Sequence, residues 1–353
     1  MATAVATECL EASVPGMRAR PSDIDWLIPF ALIVAVEMLI AGTIELSVTY
    51  SLLAFTGAGA LAIAWLLLWL LRSIRNGLEH PLTALANIIW AHRGRLLCAV
   101  IGIQIAAFGI SAFSILKAQI PVFVPYYADH ALADFDLWLF GQDAWRWSAQ
   151  HFGTLLSPIS AIYGAWLMTQ FIAFSAVLIS KPTPLKSQAI IAYGLMWLLI
   201  GIILACGCSS VGPIFFDRFY GGQRFADLDE FLRPALGVTR IADLLWARQI
   251  NGDTLVGSGI SAMPSLHVAG TVWLALIIRR AWPRLAVIGW AYFAVIYLGS
   301  IMLGWHYATD GIVGAFGTLV IWIFAGKIMH WRRWIRLISM PGRTAADPSP
   351  GPA

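Results

Sequence analysis

Long apolar runs set the first limit on what this chain can become. An α-helix needs roughly 20 mostly apolar residues to cross a bilayer. Eight stretches approach that length: Trp26–Val48, Ser51–Leu71, Leu96–Leu116, Leu156–Ile179, Ala189–Cys206, Pro264–Ile278, Leu285–Leu303 and Tyr307–Met329. None alternates apolar and polar residues in the manner of an outer-membrane barrel strand, so the spans read as helices. The expected fold class is all-α: a polytopic membrane helical bundle of about eight transmembrane helices, with interfacial helices on its outer face. Composition agrees, because a chain that is 59% hydrophobic and 12% charged does not resemble a soluble globular domain.

Residues 1–22 are polar and lack the basic start and apolar run of a cleavable leader, so the first span reads as an uncleaved anchor. Four segments are expected: a cytoplasmic tail (1–22), a two-helix membrane segment (23–95), the main membrane domain (96–335) and a disordered cytoplasmic tail (336–353). That last tail is rich in Pro, Gly and Ala from Pro341 onward. Cys9 falls in the first tail and Cys98 in a span; Cys206 and Cys208 are too close in sequence for an easy disulfide and read as buried thiols. A formal charge of +4, with the basic residues spread over membrane-flanking loops, points to no nucleic-acid partner.

Orientation follows from the excess of Lys and Arg on the cytoplasmic side of membrane proteins. With the N-terminus inside, sixteen of the 23 Lys and Arg residues fall in inside segments and seven outside. Both termini are then cytoplasmic. Lys117, His267, His306 and Asp310 then all fall at the outer face, although they come from three separate stretches.

His306 and Asp310 lie in "GWHYATDGIVG", four residues apart and so on one face of a helix. A carboxylate beside an imidazole fixes its tautomer and stabilises its cation, which makes a base or a nucleophile of it. The bland alternative is a polar pair that caps the helix. In "SAMPSLHVAG", Pro264 suits a first helical turn. Ser265 and His267 then stand where free N–H groups and the helix dipole favour an anion. Here the alternative is a serine cap with a histidine reaching the interface. The short sixth span fits a polar start held below the membrane surface in a protein-lined cavity. Lys117 alone is an ordinary interfacial anchor. Together the groups suit phosphoryl transfer: one histidine attacks phosphorus, a carboxylate supports it, a second histidine protonates the leaving oxygen, and ammonium and N–H donors hold the other oxygens. That chemistry requires an amine and two imidazoles around a void wide enough for one phosphate.

"PSLH" (264–267) and "GWHYATDGIVG" resemble the second and third motifs of the type 2 phosphatidic acid phosphatase superfamily, usually P-S-G-H and S-R-x-x-x-x-x-H-x-x-x-D. Lys117 to Pro125 resembles the first, K-x-x-x-x-x-x-R-P. The phrase "ISAMPSLHVA" and the H-Y-x-x-D form look most like the branch holding inositol phosphorylceramide synthases (inositolphosphotransferases) and many bacterial lipid phosphatases. The resemblance covers roughly residues 96–330. It implies an integral-membrane lipid phosphatase or phosphotransferase in the inner (cytoplasmic) membrane of a bacterial-type cell. The substrate would be a lipid phosphate or pyrophosphate, with an alcohol or lipid as possible acceptor. His306 would form a phosphohistidine, Asp310 would orient it, His267 would protonate the leaving group, and Lys117 and Ser265 would hold phosphate. No metal and no cofactor are implied. Three positions depart from the pattern: Leu266 replaces Gly, and Val124 and Ser300 stand where the wider family has arginines. Arg218, Arg224, Arg233, Arg240 and Arg248 lie in the long outer segment 207–262. Arg224, in "GGQRF", is the candidate chosen to replace a missing cation.

Trp138, Trp145 and Trp147, among acids in 118–155, suggest interfacial helices. Glu37 is a mid-span acid, either a site or a bundle-facing carboxyl. Gly311, Gly314 and Gly317 have close-packing spacing. Three rivals remain: an intramembrane serine hydrolase using Ser258 or Ser265, a metal site of two histidines and Asp310, and a non-enzymatic lipid transporter or lipid-binding protein.

Overall fold

The computed structural model describes residues 21–43, 47–253 and 257–339, with side chains as far as Met329. Cys9, Arg18 and Arg20 of the first tail, and the segment from Met340 with Pro341 and Arg343, lie outside the described residues. Every regular element described is a helix. Three long apolar ones come first: α1 (Ile24–Ala41), α2 (Ser47–Arg75) and α3 (Pro81–Phe123). Next are α4 (Asp129–Phe140), α5 (Ala144–Phe152), α6 (Leu156–Gly164) and α7 (Trp166–Ile179). The helix α8 (Pro184–Gly207) includes a π-helical stretch, Met196–Leu204. Short α9 (Pro213–Tyr220) and α10 (Ala226–Leu232) lead to α11 (Leu236–Asn251). The chain closes with α12 (Leu266–Ala281), α13 (Ala286–Met302) and α14 (Ala308–Ser339).

The protein is thus a multi-pass membrane bundle, but eight full spans are not reached. Six helices among the described residues are long and apolar enough to cross: α1, α2, α3, α8, α13 with the turn before it, and α14 as far as Met329. The expected fourth span is bent by 42° where α6 meets α7, and counts as a seventh only if the two pieces act as one. The expected sixth span is α12, whose 16 residues reach only about 24 Å, short of a hydrocarbon core of about 30 Å. A short helix is tolerable there because protein surrounds it: Val268, Ala269, Val272, Trp273 and Ala275 are all buried. In the other direction, α3 has 43 residues, about 65 Å. It runs unbroken through the boundary placed between residues 95 and 96.

Close approach of helix backbones, rather than hydrophobic transfer, holds helices together in lipid. The glycines of α14 serve it. A side chain at Gly311 would collide with Tyr297, one at Gly317 would press on Ile200, and a Cβ at Gly314 would lie 2.5 Å from the Ser265 carbonyl oxygen. A backbone atom cannot swing aside. We expect Gly314→Ala to cost about 1–3 kcal/mol through overpacking, read as a lower unfolding temperature in detergent. At the opposite end of the bundle, Lys186 Nζ sits 2.6 Å from Asp23 Oδ1, which also accepts Trp26 Nε1–H at 2.8 Å. This pins α1 to α8. Glu37 faces the bundle interior, where Gly109 makes room for it. Cys98, Cys206 and Cys208 are free thiols, half-buried rather than fully so.

Candidate functional site

The end of α3, the start of α12 and the turn into α14 bring polar side chains to one end of the bundle. After α13 the chain turns at Gly304, φ +70, with the Leu228 side chain packed where a Cβ would be; only glycine suits both demands. His306 N–H donates to the Ser300 carbonyl at 3.0 Å, which sets the ring inward. His306 Nδ1 lies 3.3 Å from Asp310 Oδ2, and that oxygen also accepts Tyr307 N–H at 3.0 Å. His306 is 6% exposed and Asp310 fully buried. The Asp310 carbonyl accepts Ser265 N–H at 3.0 Å, tying the first turn of α14 to the residue that caps α12. Ser265 is that cap, its Oγ accepting Val268 N–H at 3.4 Å.

His267 follows in the first turn of α12 and meets His306 edge to face, ring centroids 5.8 Å apart. Tyr163 stacks on His267 at 4.6 Å, and Trp166 packs on it at 4.3 Å. The Tyr163 hydroxyl and Trp166 Nε1 are buried with no hydrogen-bond partner among the described residues. These two aromatics, three apart on either side of the α6–α7 bend, are absent from the sequence-derived site. Their spacing puts them on one helical face, but nothing in it says that the face meets His267. Lys117 is half-buried at the end of α3, where Gly259 packs against its backbone. Lys117 and His306 both lie near enough to His267 to interact with it electrostatically. Lys117 itself has no ion-pair partner among the described residues.

Arg224 does not join this cluster. Its guanidinium bonds Asp134 at 2.7 Å and Asp143 at 3.3 Å and lies over the Phe216 and Phe225 rings. Two carboxylates already satisfy the one arginine chosen from the sequence. Arg218 and Arg233 are similarly paired, to Asp243 and Glu230. Two of the three motif departures have local contacts. Leu266 fills the hollow at Gly201 in the π-helical stretch of α8. Ser300 Oγ donates to the Tyr297 carbonyl at 2.7 Å. Nothing in the structure explains valine at position 124.

From outside, α4 holds the turn that carries His306. Asp129 accepts Tyr307 OH at 3.0 Å, Tyr220 OH at 2.9 Å and the N–H groups of Val211 and Gly212 at 2.9–3.0 Å. Asp136 Oδ2 accepts Ala308 N–H at 2.9 Å, capping α14. A cleft lined by Asp136, Asp143, Trp145, Pro213, Phe225, His306 and Tyr307 has about 190 Å³ of space between atoms but is nowhere wide enough for a water molecule. Lys117, His267 and Ser265 do not line this cleft, so it is not the phosphate-sized void expected from the sequence among the amine and the two imidazoles.

Neither rival site chemistry finds its geometry. Ser258 Oγ is buried without a hydrogen-bond partner, and Ser265 Oγ is used in the helix cap, so neither serine bonds an imidazole among the described residues. Among the described residues, no three His, Cys, Asp or Glu side chains are grouped to hold a metal ion.

No curated protein and no solved structure matches the chain. A family model described as the PAP2 superfamily, whose members are phosphoesterases, matches residues 130–324. That stretch holds Ser265, His267, His306 and Asp310 but not Lys117, and it covers more than half of the chain, which therefore belongs to the PAP2 superfamily.

Proposed function

We propose that this membrane protein is a lipid phosphatase or phosphotransferase that works through a phosphohistidine on His306. The observation that carries the proposal is the meeting of two imidazoles 39 positions apart in sequence, 5.8 Å between ring centroids, one of them bonded to a buried carboxylate. Asp310 holds His306 Nδ1, which leaves Nε2 as the nucleophilic nitrogen. His267 protonates the departing oxygen. Lys117, which has no carboxylate partner among the described residues, and the N-terminus of α12 behind Ser265 hold the nonbridging oxygens. Arg224 contributes only if its two carboxylates release it.

The substrate is a lipid phosphate or pyrophosphate, and an alcohol or lipid takes the phosphoryl group when water does not. The charge pattern supports an inner-membrane protein with both termini cytoplasmic and the site on the extracytoplasmic face. The segment plan of a two-helix preamble (23–95) before a catalytic domain (96–335) rests on the extent of the motif resemblance, with α3 continuous across its boundary. The "ISAMPSLHVA" and H-Y-x-x-D forms support the inositolphosphotransferase-like, bacterial-type branch. Incubating the protein with a panel of lipid phosphates, with and without an alcohol, and measuring free phosphate against lipid-linked product tests the reaction. Binding without any product would favour the transporter reading instead. A second expectation concerns His267. His267→Gln should slow turnover about 10²-fold or more with an alkyl leaving group, in the range of general acid catalysis. With a nitrophenolate leaving group the loss should nearly vanish. Equal losses with both would remove His267 from the acid role.

A further inference from the structure

The two imidazoles of the site are held by different means. Asp310 bonds His306 Nδ1 and fixes that ring. No hydrogen bond among the described residues holds a ring nitrogen of His267. Rotation of an imidazole about the bond to its Cβ is only broadly restrained on its own. A histidine that delivers a proton over roughly 3 Å needs a restraint from elsewhere.

Here the restraint is aromatic. Tyr163 stacks on the His267 ring, 4.6 Å between centroids and 17° between planes, and Trp166 packs on it at 4.3 Å and 42°. Both are buried, and they stand on either side of the bend between α6 and α7. Each ring is seated on a glycine of a neighbouring helix. A Cβ at Gly299 of α13 would lie 3.2 Å from Tyr163 Cδ2, and one at Gly270 of α12 would lie 3.0 Å from Trp166 Cζ2. Glycine at both positions lets the rings pack directly on helix backbone, where close packing leaves them little freedom. Stacked and tilted rings at these separations also gain beyond their buried area. The Tyr163 hydroxyl and Trp166 Nε1 have no hydrogen-bond partner among the described residues, so the rings and not their polar ends engage the imidazole.

Resting on the phosphoryl-transfer reading above, we infer that Tyr163 and Trp166 are positioning residues for the general acid: packed on His267, they hold its imidazole at the tilt from which it protonates the leaving oxygen. They act through His267 and not on the phosphate. They do for His267 what Asp310 does for His306, with ring contact in place of a hydrogen bond. In the step they serve, His306 Nε2 bonds phosphorus, the bond from phosphorus to the leaving oxygen breaks, and the His267 proton goes to that oxygen.

The test varies the leaving group, because a good one needs no proton. The full-length protein is given a lipid phosphate, which releases an alcohol, and nitrophenyl phosphate, which releases nitrophenolate. With the lipid phosphate we expect kcat/KM to fall about 10- to 100-fold in Tyr163→Leu and about 10-fold in Trp166→Leu, the scale of a misplaced reacting group. With nitrophenyl phosphate both variants should stay within about threefold of the parent. Tyr163→Phe keeps the ring and loses only an unpartnered hydroxyl, so it should bring lipid phosphate turnover back to within about twofold. Added to His267→Gln, Tyr163→Leu should cost less than about twofold more, because the group it positions is gone. Equal losses on both substrates, or a loss that multiplies in full with that of His267→Gln, would assign the rings to the fold alone and overturn the inference. Tyr163→Phe as slow as Tyr163→Leu would overturn it too, by giving the role to the hydroxyl. So would leucine variants that keep the parent rate while His267→Gln shows its leaving-group-selective loss; that result strikes the positioning role and spares the acid. Should Tyr163→Leu fail to fold, Trp166→Leu decides by the same comparisons. A parent protein inactive on both substrates would instead bring down the phosphoryl-transfer reading, and this inference with it.

Discussion

His306→Ala should abolish turnover of every lipid phosphate the parent protein accepts, a loss on the order of 10⁴-fold or more. Removing the nucleophile of a hydrogen-bonded catalytic unit costs at least that much in better-known systems. The expectation rests on position as well as on residue type. His306 is almost fully buried, its Nδ1 faces a fully buried carboxylate, and its ring edge meets His267. The fold should survive the substitution. Asp310 Oδ2 keeps its hydrogen bond from Tyr307 N–H, and the backbone bond from His306 N–H to Ser300 does not need the imidazole. Activity should therefore fall while the unfolding temperature moves little. Radiolabelled phosphate should also stop appearing in an acid-labile, base-stable protein adduct, as expected of a phosphohistidine. A His306→Ala protein that turns over substrate at the parent rate would end the mechanism. Retained labelling with no turnover would move the nucleophile to another residue.

The membrane bundle was legible because apolar runs of span length carry their own meaning; the four-residue spacing of His306 and Asp310 suggested their contact, although His306 stands in the turn before α14 and not on a helix. What the sequence concealed depended on contacts between distant residues. Tyr307 and Asp129 are 178 positions apart, and Ala308 and Asp136 are 172 apart. Asp129 and Asp136 are seven apart, so they share a face of α4. That hint was available, but read as interfacial polarity it says nothing about gripping the last helix. The bend between α6 and α7 was hidden because Gly164–Ala165 is as apolar as its flanks. The partners of Arg224 were hidden for a related reason: Asp134 and Asp143, which bind its guanidinium, approach it from parts of the chain whose packing the sequence does not announce.

The second large effect is expected at Asp129, a residue that touches no substrate in the proposed mechanism. Its carboxylate is fully buried and is the common acceptor for Val211 N–H, Gly212 N–H, Tyr220 OH and Tyr307 OH. Asp129→Ala leaves those four donors without their acceptor. Each orphaned donor costs roughly 1–3 kcal/mol, and partial relaxation recovers some of it, so a net loss of about 3–5 kcal/mol is expected. That is a large share of an ordinary protein's stability. Activity should fall with it. Gly212 packs against the Trp305 carbonyl, and Tyr307 adjoins His306, so both sides of the nucleophile's turn lose their anchor. Asp129→Asn should do little better, because its amide nitrogen brings a donor to a place already crowded with donors. Tyr307→Phe removes one bond and should cost only about 1 kcal/mol, with activity kept within severalfold. The ordering is the test: thermal unfolding and turnover, measured side by side in detergent, should both rank Tyr307→Phe above Asp129→Asn and Asp129→Ala. An Asp129→Ala protein as stable and active as its parent would show that α4 does not hold the His306 turn in place.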